Sequence, residues 1–256
     1  MPTPRDPLGL MRLQARTLFR LDDEGRMAST SEEPPFSAPR MFLGRTAGGN
    51  VWHLRHDLPH EQAENLAALL EREPPLGVPG AEPGCLAQAI VILARDQPVT
   101  AIYRGPAFVF DAAPGSQLAV SEAIGREAMD PLPRTASPRA IGEGETVRFH
   151  RQLREMGWSE PLNAAQQPCY VVEADGAIVA LCHSSRSSPT AAEAGVSTAP
   201  DYRRRGFARS VVRSWAAEVI AGGRVAFYST SWENAASQAI AGGLGPRFFG
   251  EDCHIT

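Results

Sequence analysis

The sequence has no apolar run long enough to cross a bilayer: the longest, Ala89 to Ala94, falls far short of the roughly 20 residues a crossing helix needs. No apolar signal core is present near the start, where "MPTPRDPLGLMRLQARTLFRLDDEGR" is charged throughout, and the expected location is the cytoplasm. Cysteine is scarce. Cys85, Cys169, Cys182 and Cys253 stand far apart without a Cys-x-x-Cys pair, which excludes a short-range thiolate zinc site and a disulfide framework; most should be buried small hydrophobes. Excess positive charge is missing too. A formal net charge of -4 gives polyanions no general attraction, so no nucleic-acid or membrane partner is expected and any anion site must be local.

With 43% hydrophobic and 21% charged residues, the 256 residues can bury one large core or two modest ones. Up to about residue 50, Pro, Gly and charge alternate ("STSEEPPFSAPR", "RTAGGN"), which predicts an irregular arm with one short helix around Gly9 to Leu18. From Val51 to about Asp111, "VWHLRHDL" alternates as a strand and "HEQAENLAALLERE" has helical spacing. The next run, "QAIVILARDQPVTAIYRG", reads as two strands around a turn. The Pro- and Gly-rich stretch Ala128 to Glu145 is the best linker, so residues 1–125 are expected to form a smaller α/β unit and 126–256 a second domain. Two halves of similar size leave a diverged duplication open.

The second half is more legible. "PCYVVEADGAIVALCHSSR" places two β-branched runs around Asp175-Gly176, an antiparallel hairpin signal, and "EAGVST" is a third strand. "FARSVVRSWAAEVIAG" carries Val211, Val212, Trp215, Ala216 and Ile220 on a helical stripe closed by Gly222-Gly223. "RVAFYSTSW" is again a strand, and "ENAASQAIAGGLG" a short helix. Between the third strand and the first of these helices stand Arg203, Arg204, Arg205 and Gly206. A strand that turns through glycine into a helix N-terminus presents free N–H groups and the positive end of the helix dipole, which makes an anion site. A solvated helix start and a nucleic-acid patch are the alternatives.

Arg203 through Ala208 fits the pattern Arg/Gln-x-x-Gly-x-Gly/Ala, Pro200-x-Tyr202 precedes it, and Asn234 opens the helix that ends in "GGLG". In these features the stretch from about Cys169 to Thr256 resembles the GNAT acyltransferase superfamily. The resemblance implies a mixed α/β fold with a twisted, mostly antiparallel sheet and flanking helices. It implies acetyl-CoA as cofactor and N-acyl transfer to a primary amine of a small molecule or peptide. The N–H groups of Arg204, Arg205, Gly206, Phe207 and Ala208 are then suited to the pyrophosphate, with Arg203 and Arg205 adding charge-assisted donors. In the family, the pantetheine arm pairs with one of two splayed strands, which maps onto Val196 and Thr198 here, with an N–H near Val196 polarising the thioester; core packing alone also suits Val196. Asn234 can contact the cofactor, cap its helix, or both.

Amide formation needs a base for the ammonium proton and a donor for the departing thiolate. Glu193 is the candidate base, direct or through water; the alternative is a surface or salt-bridged carboxylate. The thiolate's usual acid in the family is a tyrosine seven residues after the helix-opening Asn, where this sequence has Ala241. Tyr228, Ser229 and Ser237 are the hydroxyls left, and strand alternation sends Tyr228 and Ser229 to opposite faces. Loss of chemistry is the other outcome of that departure, leaving an acyl-CoA-binding or sensing module. His53, His56 and His60 with Asp57 have the residue types of a metal site, but alternation divides His53 from His56 and Pro59 interrupts the run, so no metal is expected.

Overall fold

The structure, a computed structural model, describes residues 6–111, 137–142, 144–145, 150–156 and 163–256. In chain order its elements are α1 (Pro7–Leu18), β1 (Phe19–Leu21), β2 (Met27–Thr30), β3 (Met41–Thr46), β4 (Gly49–Leu54), α2 (His60–Leu70), α3 (Leu86–Leu93), β5 (Ile102–Phe110) and β6 (Arg139–Ala140). Then follow α4 (His150–Glu155), β7 (Cys169–Ala174), β8 (Ala177–Ser187), β9 (Ala191–Thr198), α5 (Phe207–Ala221), β10 (Val225–Ser229), α6 (Ala235–Leu244) and β11 (Arg247–Ile255). The chain forms two compact units. One comprises Met1–Val109, Tyr228–Gln238 and Arg247–Thr256; the other comprises Phe110–Phe227 and Ala239–Pro246. The expected linker lies largely outside the described residues, although Arg139 and Ala140 within it pair with β7.

In the first unit the strand order is β4-β3-β11-β5, antiparallel at each of these pairs. Asp6 caps α1 by accepting from Gly9 N at 2.8 Å, and Pro7 opens it without a wasted donor. This helix buries Leu10, Met11 and Ala15 on one face of the sheet. Gly44 makes the approach possible: a Cβ there would stand 2.3 Å from Met11 Sδ. Alternation turns Leu43 and Cys253 to the other face, where they pack with Leu66 and Leu70 of α2 and Leu86, Ala89 and Leu93 of α3.

The structure departs from two sequence expectations. Residues 86–93 are a helix, not a strand: the apolar run is too short for its composition to separate the two, and Leu86, Ala89, Ile92 and Leu93 are buried on a helical stripe. The opening arm is not irregular either, since β3 is buried at every position and pairs with β4 and β11. Its Arg45 is buried beside Glu73, 3.4 Å away, a partner the local pattern does not announce.

In the second unit the order is β10-β9-β8-β7-β6, with β10 contributing Val225 to Phe227. The β7–β8 hairpin turns at Asp175 (φ 53°) and Gly176 (φ 75°), the left-handed pair that a two-residue hairpin turn requires. One face buries Ile141, Leu153, Cys169, Val171 and Leu181 together. Helix α5 buries Val211, Val212, Trp215 and Ala216, and packs against β7, β8 and β9. The architecture is thus mixed α/β, mostly antiparallel, with flanking helices. All four cysteines are free and buried. Among the described residues no helix is long and apolar enough to cross a membrane.

Candidate functional site

Strand β9 is paired differently along its two edges. Against β8 it is antiparallel from Ala192↔Ser187 to Thr198↔Ala180, whereas its parallel register with β10 runs only from Ala191↔Val225 to Glu193↔Phe227. The two strands of that parallel pair therefore part after Glu193. Ala199 N donates to Val179 O at 2.9 Å. Opposed residues of an antiparallel ladder alternate between bonded and non-bonded pairs, so Ser197 and Gly195 bond toward β8 while Val196 and Thr198 turn their N–H and C=O away from it. These are the two residues expected to meet an extended cofactor arm. Thr198 O also receives Arg203 Nε at 3.2 Å.

Beyond β9, one turn of 3-10 helix (Pro200–Tyr202) leads into the arginine turn. Arg204 (φ 62°) and Gly206 (φ 83°) are both left-handed, and α5 begins at Phe207. Arg204 is a strained residue of the kind found at ligand clamps. The Arg205 guanidinium lies 5.0 Å from the Tyr202 ring centroid, and the Tyr202 hydroxyl donates to Asp175 Oδ2 at 2.8 Å, a bond that raises the phenol's pKa. Ser210 N bonds to Gly206 O within the first turn of α5, so the amides of Phe207, Ala208 and Arg209 precede the helical ladder. A turn built this way suits a phosphate. In the "GGLG" run Gly243 is crowded, since a Cβ there would stand 2.6 Å from Arg209 Nη1, whereas a Cβ on Gly242 or Gly245 would meet nothing within 4 Å.

Glu193 is buried, at 4% exposure, which removes the surface-carboxylate reading. It is the last β9 residue in register with β10, opposite Phe227. In the first unit, Tyr228 and Ser237, which the sequence offers as alternatives, are joined: Tyr228 Oη lies 2.7 Å from Ser237 Oγ. Ser237 N donates to Asn234 Oδ1 at 3.0 Å, so Asn234 caps α6. Ser229 follows Tyr228 on the opposite face, and Ala241 is buried in α6. His53 Nδ1 and His56 Nδ1 lie against the carbonyls of Gly25 and Met27, and His60 faces Glu64. The three are engaged separately.

No role for His183 is legible in the sequence pattern around it. Its ring is 1% exposed and its Nδ1 lies 2.9 Å from Gly195 O; the clue was a glycine inside a strand, a mark of close approach. Burial pushes the imidazole down to about 4, against the raising effect of that bond. The folded value lies below the free one, so the unfolded chain takes the proton first as pH falls. Stability present above about pH 6.5 is then lost toward pH 4, by about 3 kcal/mol. Urea unfolding across this range should show the loss, and His183→Asn should flatten it; equal slopes in both proteins would refute the assignment.

Residues 164–251 match the model of the GNAT acetyltransferase family. No curated protein matches the chain. Among solved structures, a protein assigned to the GNAT acetyltransferases from Novosphingobium aromaticivorans DSM 12444 is 23% identical, over 61% of this chain and 65% of its own, with a TM-score of 0.45. This chain thus spans less than two thirds of that protein. A GCN5-related N-acetyltransferase-like protein from Streptococcus suis 89/1591 is 16% identical over 96% of this chain and 98% of its own, with a TM-score of 0.46. An aminoglycoside N-acetyltransferase in complex with CoA is 20% identical over 43% of this chain and 90% of its own, with a TM-score of 0.32. The segment 164–251, which holds the open strand edge and the arginine turn, is thus similar to the GNAT acetyltransferase family.

Proposed function

We propose that the protein is an N-acetyltransferase that moves acetyl from acetyl-CoA to a primary amine of a small-molecule or peptide acceptor, by direct attack within a ternary complex. One observation carries the reading. The β9 edge that turns away from β8 leads straight into a left-handed turn at a helix N-terminus, so backbone groups for an extended arm and amides for a pyrophosphate follow one another in the chain. Bound acetyl-CoA supplies an activated acetyl thioester. Val196 and Thr198 hold the arm through their main chain, and the Val196 N–H polarises the thioester oxygen. The amides of Arg204, Arg205, Gly206, Phe207 and Ala208 hold phosphate. Arg205 adds positive charge from its place over Tyr202, and Arg203 does so while its Nε steadies Thr198 O.

Glu193 accepts the proton that the amine must lose before or as its nitrogen forms the new C–N bond, directly or through a water. The Tyr228–Ser237 hydroxyl pair returns a proton to the sulfur as the C–S bond breaks. The balance is one amide, one thiol and no net redox change. The segment 1–125 is assigned to the acceptor's side of the reaction, in the cytoplasm and without nucleic acid or metal.

Release of free thiol from acetyl-CoA, followed across a panel of primary amines, tests this reading. Glu193→Gln should lower turnover by on the order of a hundredfold and move the acidic limb of the pH–rate profile, while the acetyl-CoA Kd stays within about twofold. An unchanged profile would take the proton from Glu193. Ala241 at the family's tyrosine position favours the second reading, a non-catalytic acyl-CoA-binding or sensing module. Tight CoA binding with no thiol release from any amine would select it.

A further inference from the structure

At the point where β9 parts from β10, two side chains of β8 grip its main chain. Ser185 Oγ donates to Glu193 O at 3.1 Å, and His183 Nδ1 lies 2.9 Å from Gly195 O. A carbonyl only accepts, so His183 carries its proton on Nδ1. Ser185 is the extra residue of a bulge in β8, because the pairing Ser184↔Ala194 is followed by Arg186↔Glu193. The bulge re-aims its side chain onto β9. Gly195 is the counterpart: a Cβ there would stand 2.2 Å from His183 Cε1 and 3.0 Å from Ser185 Cβ, so both grips need a glycine.

We infer that His183 and Ser185 are positioning residues that lock β9 from Glu193 to Gly195 and thereby fix where the Glu193 carboxylate and the Val196 N–H point. The catalytic meaning of this lock rests on the acetyltransferase reading; the lock itself does not. Residues 193, 195 and 197 share one face of β9 and lie opposite β8, while Val196 is the next residue along and turns its main chain outward. Two gripped carbonyls on either side of Ala194 remove the freedom of the strand to slide or twist where the β10 ladder has ended. His183 is too deeply buried to meet a substrate and stays neutral, so it acts through the strand and not on the proton of the amine. Placing a polarising N–H wrongly by about 1 Å costs on the order of a hundredfold in rate, which is the scale on which such a lock matters.

The test uses the full chain and three variants. In His183→Asn the amide nitrogen stands near the place of Nδ1 and keeps a donor; His183→Leu keeps bulk and loses it; Ser185→Ala removes one oxygen. His183→Leu should speed amide hydrogen exchange at residues 194–198 by about tenfold or more and lower kcat by about tenfold or more, with the amine KM within about twofold. His183→Asn should return both readouts to within about threefold of the unmodified chain. Ser185→Ala, which leaves the core intact, should change both in the same direction by about threefold. Unmodified exchange in His183→Leu overturns the lock, and so does an Asn variant as impaired as the Leu one. If His183→Leu does not fold, unchanged exchange and kcat in Ser185→Ala overturns it. Failure of the unmodified chain to bind CoA or release thiol instead strikes the acetyltransferase reading, and the exchange data still decide the lock.

Discussion

Gly206→Glu is expected to abolish acetyl-CoA binding, weakening it by at least about a hundredfold, close to 3 kcal/mol. The proposed clamp consists mainly of backbone amides, which no side-chain substitution nearby removes. Gly206 is the position where one change acts on them in two ways. Its φ of 83° is left-handed, so any side chain strains the turn by roughly 1–2 kcal/mol. A carboxylate there also places negative charge at the N-terminus of α5, beside the amides of Phe207 and Ala208, where the phosphates are assigned. Gly206→Ala separates the two effects, since it has the strain without the charge, and its loss should be smaller. Calorimetric titration with acetyl-CoA and with CoA reads both variants. Unchanged affinity in the Glu variant would dismiss the arginine turn as the phosphate site.

Tyr228→Phe is expected to lower turnover by on the order of a hundredfold while leaving the acetyl-CoA Kd in place. The thiolate leaving group needs a proton, and the family's usual tyrosine position is occupied by Ala241. Tyr228 is the hydroxyl with a built environment: it is 2% exposed and paired with Ser237 Oγ at 2.7 Å, and Ser237 N is tied to Asn234. Loss of one such buried hydroxyl costs about 1 kcal/mol of stability, too little to account for a hundredfold fall through unfolding. Ser237→Ala should cost less, about tenfold, because it removes a partner and not the phenol. Ser229→Ala, on the opposite strand face, should turn over normally. Single-turnover thiol release under saturating acetyl-CoA separates the three, and a Phe variant with normal turnover would leave the thiolate without a side-chain acid.

Features whose causes are local can be read directly from the order of residues. Asp175-Gly176 specifies a left-handed turn and hence the β7–β8 hairpin, Gly206 specifies the turn before α5, and the spacing of Val211, Val212, Trp215 and Ala216 specifies which face of that helix is buried. Backbone sterics and side-chain periodicity act within a few residues, so these features can be read without knowing the fold. The remaining features depend on contacts between distant segments. Met41 pairs with Ile255 and Arg45 with Glu251, strand partners separated by most of the chain, and no local pattern names them. Residues 86–93 became a helix because burial beside α2 and β3 settled what a short apolar run leaves ambiguous. The burial of Glu193, the joining of Tyr228 to Ser237 and the fit of His183 over Gly195 each depend on register or on packing between elements. A slip of one residue would reverse the face of every side chain in a strand, and that choice is fixed only when the whole sheet closes.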